Sequence, residues 1–460
     1  MKNIPVEKNQ EYIVDVIDNG FEGEGIARIN DFTVFIPGSI KGEKIKILIV
    51  KVLSSHAFGK IIEIIKKSEH RQESDCNTYK RCGGCNLRHI DYEETLNIKQ
   101  EIVQNLVNKN LKNTIEVKQT WGMGNPLNYR NKLQYPIGKN ENGEPVMGVF
   151  ANRTHEIIET YNCLIQDKMC NLVAKYVLDE IKKYNISTYN EKTNEGLMRH
   201  IVIKRGFRTN EIMVIMVING DFLPFSENIA HDLKEICIDI KSIVVNVNKE
   251  NTNVILGEKN INIFGNGYIE DILGDYKFQI SPLSFYQVNP VQAEALYNIA
   301  IESAKISKND IVFDLYCGIG TISLFASPNA KKVYGIEIVK QAVEDAKNNA
   351  KLNNINNTEF IAGDTEKILT DLIEKKKIVP NVIIVDPPRR GLDRTTINNI
   401  LKIKPKRVVY ISCNPATLIR DLSYLEDVYE IKMIQPVDMF PFTSHVECVC
   451  VLELKESTEK

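Results

Sequence analysis

The last third of the chain alternates short apolar runs with stretches of helical periodicity. The apolar runs fill positions 311–315, 333–336, 382–385 and 408–412. A helix is predicted over 290–304, with proline at its first position. Short continuous apolar runs between helices are typical of buried parallel strands. The pattern therefore predicts an α/β domain with a Rossmann-like sheet over residues 281–457.

Side chains that could bind or react stand at the ends of these runs. Glu337, Asp364 and Asp386 each end a predicted strand, and Cys413 follows the run that stops at Asn414-Pro415. In an open parallel sheet, ligands bind at the carboxyl ends of the strands. A thiol there is a candidate nucleophile, although a small buried cysteine that only fills space is the commoner case.

A glycine loop follows the first of these strands. Asp314 is followed by Tyr316, Gly318 and Gly320. Glycine lets the backbone approach a ligand closely, and the helix after it offers free amides. The third glycine of the dinucleotide fingerprint is missing, so the loop fits an S-adenosylmethionine site better than a dehydrogenase site. Glu337, at the end of the next strand, suits a carboxylate that accepts hydrogen bonds from ribose hydroxyls.

Residues 4–64 have the pattern of short strands separated by glycines. Five such strands predict a small closed barrel of the OB type. Five lysines could give this barrel a basic face for nucleic acid: Lys41, Lys44, Lys46, Lys51 and Lys60. A structural barrel with a solvated lysine surface is the alternative.

Three cysteines, Cys76, Cys82 and Cys85, lie close together, and Cys163 is the next along the chain. In a reducing cytosol such a group indicates a metal site and not a disulfide framework. Zinc and an iron–sulfur cluster both accept four thiolates, and the spacing alone does not choose between them.

The central segment, residues 65–280, mixes helices and strands, with a helix predicted over 92–109. Cations and aromatic rings are interleaved in it, which suits an RNA surface that follows the backbone and stacks bases. A solvated charged face is the alternative. The series comprises Tyr129, Arg130, Lys132, Arg153, His155, Arg199, His200, Lys204, Arg205 and Arg208. The segment is therefore expected to be an α+β RNA-binding domain.

The composition is ordinary for a soluble globular protein. Of 460 residues, 43% are hydrophobic and 26% are charged, and the net charge of −2 requires that nucleic acid bind to local patches. No stretch approaches the ~20 uncharged apolar residues of a membrane span, and the start lacks the apolar core of a secretory signal. We expect a cytoplasmic monomer without a membrane partner.

Five short motifs are the most specific features of the C-terminal domain. They are Ser281-Pro-x-Ser-Phe285-Tyr-Gln287-Val-Asn289, Asp314-Leu-Tyr-Cys-Gly-x-Gly320, Asp386-Pro-Pro-Arg-Arg-Gly391, Ser412-Cys413-Asn-Pro415 and His445-Val-Glu447. With them the chain resembles the uridine-5 RNA methyltransferases that use S-adenosylmethionine. Within that family it is most similar to the branch with an N-terminal TRAM domain and a four-cysteine iron–sulfur site, which modifies 23S ribosomal RNA. The resemblance runs from about Tyr12 to Leu454.

The resemblance implies a class I methyltransferase domain and roles for particular residues. The implied cofactor contacts are Gln287, Tyr316, Glu337, Asp364 (the weaker candidate, near the adenine) and Asp386 (where cofactor and uracil meet). Cys413 would be the nucleophile and Glu447 the base. The implied ligands of a [4Fe–4S] cluster, which favours iron over zinc, are Cys76, Cys82, Cys85 and Cys163. A thiolate added to C6 of uracil makes C5 able to take the methyl group, and a base must then remove the C5 proton.

Three functions stay open at this point. The first is methylation of uridine C5 in 23S ribosomal RNA, which yields 5-methyluridine. The second is the same chemistry on transfer RNA; that branch often lacks the barrel and the cysteines, so their presence favours ribosomal RNA by analogy. The third is a non-catalytic RNA-binding protein, against which the intact Cys413, Glu447 and Gln287 argue. Because the cysteines lie far along the chain from Cys413, we expect the cluster to have a structural or RNA-positioning role.

Overall fold

The computed structural model describes residues 4–456, so residue 457, the last of the expected C-terminal domain, lies outside the described residues. The N-terminal part is a sheet of six strands: β1 (Glu11–Asp15), β2 (Asp18–Asn19), β3 (Gly25–Ile29), β4 (Phe32–Ile36), β5 (Lys44–Val52) and β6 (His56–Lys66). Their order is β1-β5-β6-β4-β3-β2, and contact between β1 and β3 closes the barrel. The predicted barrel is confirmed, with one strand more than expected because the stretch after β1 pairs with β3.

A long helix, α1 (Tyr92–Asn110), follows the cysteines, as the sequence predicts. Asp91 caps its start by accepting a hydrogen bond from the Glu94 amide at 2.8 Å. Its buried face, which includes Val103 and Val107, packs on the C-terminal domain at the helix Pro415–Leu425. The segment that carries the cysteines is therefore attached to the C-terminal domain as well as to the barrel.

The central part is a seven-stranded sheet with two helices on one face. Its elements are β7 (Lys132–Lys139), β8 (Pro145–Phe150), β9 (Ile157–Glu159), α2 (Lys168–Lys183), β10 (Met198–Arg205), β11 (Ile212–Ile218), α3 (Ser226–Ile236), β12 (Ile240–Val247) and β13 (Lys259–Gly265). The strand order is β13-β12-β11-β10-β7-β8-β9. Alternate residues of β11 face opposite ways: Val214 and Met216 pack under the helices, whereas Met213 and Ile215 join the core of the C-terminal domain. This second face places the central sheet against the C-terminal domain.

A hairpin, β14 (Ile269–Leu273) and β15 (Tyr276–Ile280), leads into the C-terminal domain. That domain contains α4 (Pro290–Ala304), β16 (Ile311–Leu315), α5 (Thr321–Ala326), β17 (Lys332–Glu337), α6 (Lys340–Leu352), β18 (Thr358–Ala362), α7 (Thr365–Glu374), β19 (Val382–Val385), α8 (Arg394–Ile403), β20 (Arg407–Ser412), α9 (Pro415–Leu425), β21 (Tyr429–Val437) and β22 (Glu447–Leu454). The expected boundaries at 64/65 and 280/281 stay predictions.

The C-terminal sheet has the order β18-β17-β16-β19-β20-β22-β21. Its first five strands are parallel, and β22 is antiparallel to both neighbours. One apolar cluster covers each face, so the sheet is buried on both sides, as its continuous apolar runs predict. The Rossmann-like fold is confirmed. Within residues 4–456, no helix is long and apolar enough to cross a bilayer.

Candidate active site

A cavity of about 640 Å³ opens at the carboxyl edge of the C-terminal sheet, where the strand order reverses between β16 and β19. A ligand is expected at such a switch point. The residues that the sequence indicated in this domain all line it: Gln287, Tyr316, Glu337, Asp364, Asp386, Cys413 and Glu447. The fold thus brings the expected cofactor contacts and the expected reactive pair to one site.

The loop after β16 leaves room for a ligand. Tyr316, Gly318 and Gly320 adopt left-handed conformations, with φ of 69°, 54° and 84°. A Cβ on Gly320 would lie 3.0 Å from the Phe360 ring, whereas one on Gly318 would meet nothing within 4 Å. Because Gly318 also lines the cavity, this open space fits the close approach of a cofactor to the backbone.

Glu337 is held by two backbone amides. One carboxylate oxygen accepts a hydrogen bond from Gly318 at 3.1 Å, and the other accepts from Val339 at 2.9 Å. Beside it, Ile338 and Val339 are exposed and line the same cavity. A fixed carboxylate next to an apolar surface suits a nucleoside, whose ribose hydroxyls donate and whose base is flat and apolar.

Asp364 does not end a strand, contrary to the sequence prediction. Strand β18 ends at Ala362, and Asp364 caps α7 by accepting from the amides of Glu366 at 3.1 Å and Lys367 at 3.3 Å. The first backbone amides of a helix have no partner within the helix, and the Asp364 carboxylate accepts hydrogen bonds from two of them. Asp364 lines the cavity, but one carboxylate oxygen is already used by the cap.

Cys413 directly follows β20, as predicted. Asn414 caps α9 by accepting from the Ala416 amide at 3.1 Å, and Pro415 takes the first helical position. The Asn414 amide group also donates to the Arg389 carbonyl at 3.1 Å. The loop that carries the thiol is thereby tied to the 386–391 motif.

The surroundings of the thiol oppose its ionisation. Burial raises the pKa of Cys413. The carboxyl groups of Glu447 and Asp386 raise it further, whereas the Arg389 guanidinium lowers it. Burial also raises the pKa of Glu447 to about 7, again opposed by Arg389. The pKa of Asp386 is raised by burial and by Glu447. Arg389 is therefore the cation that favours both the thiolate and the Glu447 carboxylate.

The four cysteines of the expected cluster lie within electrostatic range of one another. Burial raises the pKa of Cys85 to about 12, and Cys163, Cys82 and Cys76 each raise it further. A bridge between Cys82 and Ala151 holds the segment against the end of β8. Nevertheless, among residues 4–456, no group of three His, Cys, Asp or Glu side chains forms a set that could hold a metal ion. The expected metal site at these cysteines therefore stays a prediction.

The cysteine segment is bonded to the loop that leads into Glu447. The Asn86 amide group donates to the Ser444 hydroxyl at 2.8 Å, and the Ser444 backbone amide donates back to Asn86 at 2.8 Å. The Phe442 carbonyl accepts from the backbone amides of Asn86 and Leu87 at 3.1 and 3.0 Å. The cysteine segment thus contacts the loop before Glu447, although the cysteines are far from Cys413 in sequence.

The basic and aromatic series of the central segment is not one continuous surface. Tyr129, Arg199, His200 and Lys204 are buried, whereas Arg153, His155 and Arg208 are exposed. Arg199, for example, donates to the carbonyls of Asn248 and Glu250 at 2.7 and 2.8 Å. Arg199, His200 and Lys204 lie on β10, which is buried on both faces, and the order of charges along the chain does not show this burial.

Comparison with known proteins identifies the family. Residues 211–455 match the tRNA (Uracil-5-)-methyltransferase model, and residues 5–62 match the TRAM domain. An uncharacterized RNA methyltransferase of Clostridium acetobutylicum is 46% identical over 456 residues, which cover 98% of this chain and 99% of the relative. The chain belongs to the tRNA (uracil-5-)-methyltransferase family. A second member, from Staphylococcus aureus, is 43% identical over 451 residues and covers 98% of this chain and 99% of its own.

A solved structure agrees with this placement. The Pyrococcus abyssi tRNA (uracil-54, C5)-methyltransferase, in complex with S-adenosyl-L-homocysteine, matches with a TM-score of 0.76 at 25% identity, over 96% of this chain and 100% of that chain. The predicted fold class, a class I methyltransferase domain with an N-terminal TRAM barrel, is confirmed. The chain is an S-adenosylmethionine-dependent RNA (uracil-5-)-methyltransferase.

Two residues that bear on the site of this uracil-5-methyltransferase were not assigned to it from the sequence: Arg389 had no role of its own, and Lys204 was expected to face RNA. Arg389 lies in the 386–391 motif. The sequence feature that could have indicated its role is a cation close to Asp386 at the end of a predicted strand. Lys204 stands in the basic series but follows the apolar residues Ile201, Val202 and Ile203. A lysine in such a buried strand needs buried hydrogen-bond acceptors, and this need could have indicated a structural role for Lys204.

Proposed function

We propose that this methyltransferase transfers the methyl group of S-adenosylmethionine to C5 of a uridine in 23S ribosomal RNA, through a covalent bond between Cys413 and C6. The observation that carries the proposal is the shared cavity, which Cys413, Glu447 and Asp386 line together with Gln287 and Glu337. A nucleophile, a base and cofactor-type side chains around one space meet the geometric needs of covalent catalysis.

Cys413 acts first in the proposed sequence. Its thiolate adds to C6, and the electrons of the C5=C6 double bond move toward O4 as an enolate. C5 thereby becomes nucleophilic; S-adenosylmethionine, when bound, supplies the electrophilic methyl group. Arg389 favours the thiolate against burial and two neighbouring carboxyl groups.

Glu447 acts last. After transfer, C5 carries both the methyl group and its original proton. The Glu447 carboxylate takes this proton, the C–H electron pair restores the C5=C6 bond, and the bond between sulfur and C6 breaks to release the thiolate. A pKa of about 7 suits a base that works near neutral pH.

Asp386 is proposed to lie where uracil and cofactor meet. It is partly exposed at the cavity beside Glu447, and its raised pKa favours the protonated acid. A protonated carboxyl group can donate a hydrogen bond to a uracil carbonyl as charge develops there. The uridine must leave its base stack, or come from an open loop, to reach this position.

The RNA partner is proposed to lie across the central sheet and the barrel. A groove of about 1390 Å³ beside β7 and β8 is bordered by the exposed cations Lys139 and Lys192, with several glutamates among them. Arg81 also borders it but pairs with Glu156, so it is a weaker candidate. On the barrel, Lys44, Lys51 and Lys60 are exposed. Lys41 and Lys46 pair with Glu101 and Glu11, so they are weaker candidates for phosphate contacts.

Ribosomal RNA is proposed because the chain has both the TRAM barrel and the four cysteines, which the transfer-RNA branch often lacks. Transfer RNA is the second candidate, favoured by one observation. The enzyme of Pyrococcus abyssi that is named for uridine 54 of transfer RNA matches 96% of this chain, so its architecture extends over nearly all of these residues.

We also propose that Cys76, Cys82, Cys85 and Cys163 hold a [4Fe–4S] cluster. Four thiolates are the donor set of such clusters. Iron is proposed over zinc because the chain resembles the branch of the family that has a four-cysteine iron–sulfur site. Through Asn86 and Ser444 the cluster would support the loop before Glu447.

The test is methyl transfer from labelled S-adenosylmethionine to undermodified total RNA, separated by size, with the nucleoside identified. We expect labelled 5-methyluridine in 23S ribosomal RNA. The same nucleoside in transfer RNA would keep the mechanism and replace the substrate. Label at another position of uridine, or on another base, would contradict the proposed chemistry.

A further inference from the structure

The 281–289 motif places Gln287 in the cofactor cavity, and its two serines make a closed turn. The hydroxyls of Ser281 and Ser284 lie 2.7 Å apart, and the Ser281 amide donates to the Ser284 oxygen at 3.0 Å. The Ser284 hydroxyl also donates to Asp345 of α6 at 3.0 Å. Both serine side chains are thus used inside the turn, which leaves their backbone carbonyls for a partner outside it.

That partner is Lys204, on β10 of the central sheet. Its ammonium group donates to the carbonyls of Ser281 at 2.9 Å and Ser284 at 3.0 Å. Lys204 is 6% exposed and lines a small pocket behind the loop, together with Ser284 and Tyr286. A buried amine is costly without acceptors. The turn and the lysine therefore satisfy each other, and the lysine fixes the start of the loop.

The end of the loop is fixed from the neighbouring strand. Asn131, just before β7, donates from its side-chain amide to the Gln287 carbonyl at 3.2 Å and from its backbone amide to the Val288 carbonyl at 2.9 Å. Asn131 is buried as well. Lys204 lies on β10 and Asn131 directly precedes β7, and these two strands pair with each other in the central sheet.

We propose that Lys204 and Asn131 are positioning residues for the cofactor: from the central sheet, they hold the 281–288 loop so that Gln287 faces S-adenosylmethionine. The inference rests on the proposed role of Gln287 as a cofactor contact. It gives the two serines of the motif a role in closing the turn that Lys204 holds, and Ser284 also lines the cofactor cavity. It also means that the sheet expected to bind RNA shapes the cofactor site directly.

The test measures cofactor and RNA separately. S-adenosylhomocysteine binding to the purified full-length protein is measured by calorimetry for the wild type and for Lys204→Met, Asn131→Ala and Lys259→Met. Lys259 is the control, because it is an exposed lysine on β13, the edge strand of the same sheet. Lys204→Met should weaken binding at least tenfold, which equals about 1.4 kcal/mol, and Lys259→Met should leave it unchanged.

Steady-state kinetics distinguish positioning from a general loss of structure. For Lys204→Met, KM for S-adenosylmethionine should rise at least tenfold, while KM for RNA and kcat at saturating cofactor stay near the wild type. If the variant does not fold, Asn131→Ala decides by the same readouts. Unchanged cofactor affinity in the folded variants, or a defect confined to KM for RNA, overturns the proposal. Because the calorimetry needs no RNA, this result is independent of which RNA is methylated.

Discussion

Cys413 and Glu447 lie directly beyond the last residue pair of the ladder between β20 and β22. That pair is Ser412 with Cys448, and in this antiparallel ladder Cys413 follows the first residue and Glu447 precedes the second. After burial, Glu447 is the largest influence on the pKa of Cys413. The two groups proposed to act at C6 and C5, which are adjacent atoms of uracil, therefore occupy neighbouring strands at one edge of the sheet.

Cys413→Ala should abolish methyl transfer and leave cofactor binding intact, because the thiol is proposed to bond to RNA and not to the cofactor. Calorimetry with S-adenosylhomocysteine measures cofactor binding, and a methyl-transfer assay measures activity. Cys237→Ala is the control, since Cys237 is a buried cysteine at the end of α3. Substantial transfer by Cys413→Ala would remove the nucleophile assignment.

Glu447→Gln should trap the covalent RNA adduct. The amide cannot accept the C5 proton, so elimination should slow by roughly 10²- to 10⁴-fold. The adduct should appear as a denaturant-resistant protein–RNA band and disappear in the double variant with Cys413→Ala. Glu430→Gln, at an exposed position of the adjacent strand β21, is the control. Rapid turnover without an adduct would exclude the base role.

The activity should rise with pH. Glu447 and Cys413 act after losing a proton, and both pKa values are raised, so activity should increase through about pH 7 and further at alkaline pH. Arg389→Gln removes the cation that lowers both values, and the profile should move to higher pH. Activity near pH 7 should fall by about tenfold per pKa unit of displacement.

The pH profile of kcat separates this role of Arg389 from a contact with RNA. Arg390→Gln, at the neighbouring exposed position, should retain the wild-type profile. The loss in Arg389→Gln should become smaller as the pH rises. An equal loss at every pH, together with a raised KM for RNA, would assign Arg389 to substrate binding.

Cys82→Ser should disturb the loop before Glu447 and leave the cofactor site intact. The cysteine segment bonds to this loop through Asn86 and Ser444. We expect normal binding of S-adenosylhomocysteine with weakened RNA binding and a lower melting temperature. Cys170→Ser, at a buried cysteine outside the expected ligand set, is the control. A variant that folds and binds RNA normally while losing all transfer would contradict the structural role.

Lys99→Met should destabilise the protein. Lys99 and Asp438 form a fully buried ion pair between α1 and the loop before Glu447, and Tyr92 donates to Asp438 at 2.7 Å. Removing the lysine leaves a buried charge without its partner, which costs about 3–5 kcal/mol. Thermal unfolding should show a larger loss of stability for Lys99→Met than for the control Lys175→Met, because Lys175 forms an exposed ion pair with Asp179. The double variant with Asp438→Asn should recover part of the difference.

Several features were determined by the sequence alone, because they depend on neighbours in the chain. The apolar runs in the last third could only be buried strands, and Asn414-Pro415 had to end the strand before Cys413. The glycine loop at Gly318 and the capped start of α4 at Asn289 have the same local origin. These features were enough to place the candidate nucleophile and the cofactor loop at one edge of a Rossmann-like sheet.

Only the tertiary structure decided which distant residues meet. The register of β20 and β22 places Glu447 beside Cys413. Because β10 is buried on both faces, Lys204 is not a surface cation and instead donates to the cofactor loop. Packing of α1 on the C-terminal domain brought the cysteine segment to the loop before Glu447. Such contacts depend on the register of the strands and on burial by several elements at once, and the spacing of residues along the chain determines neither.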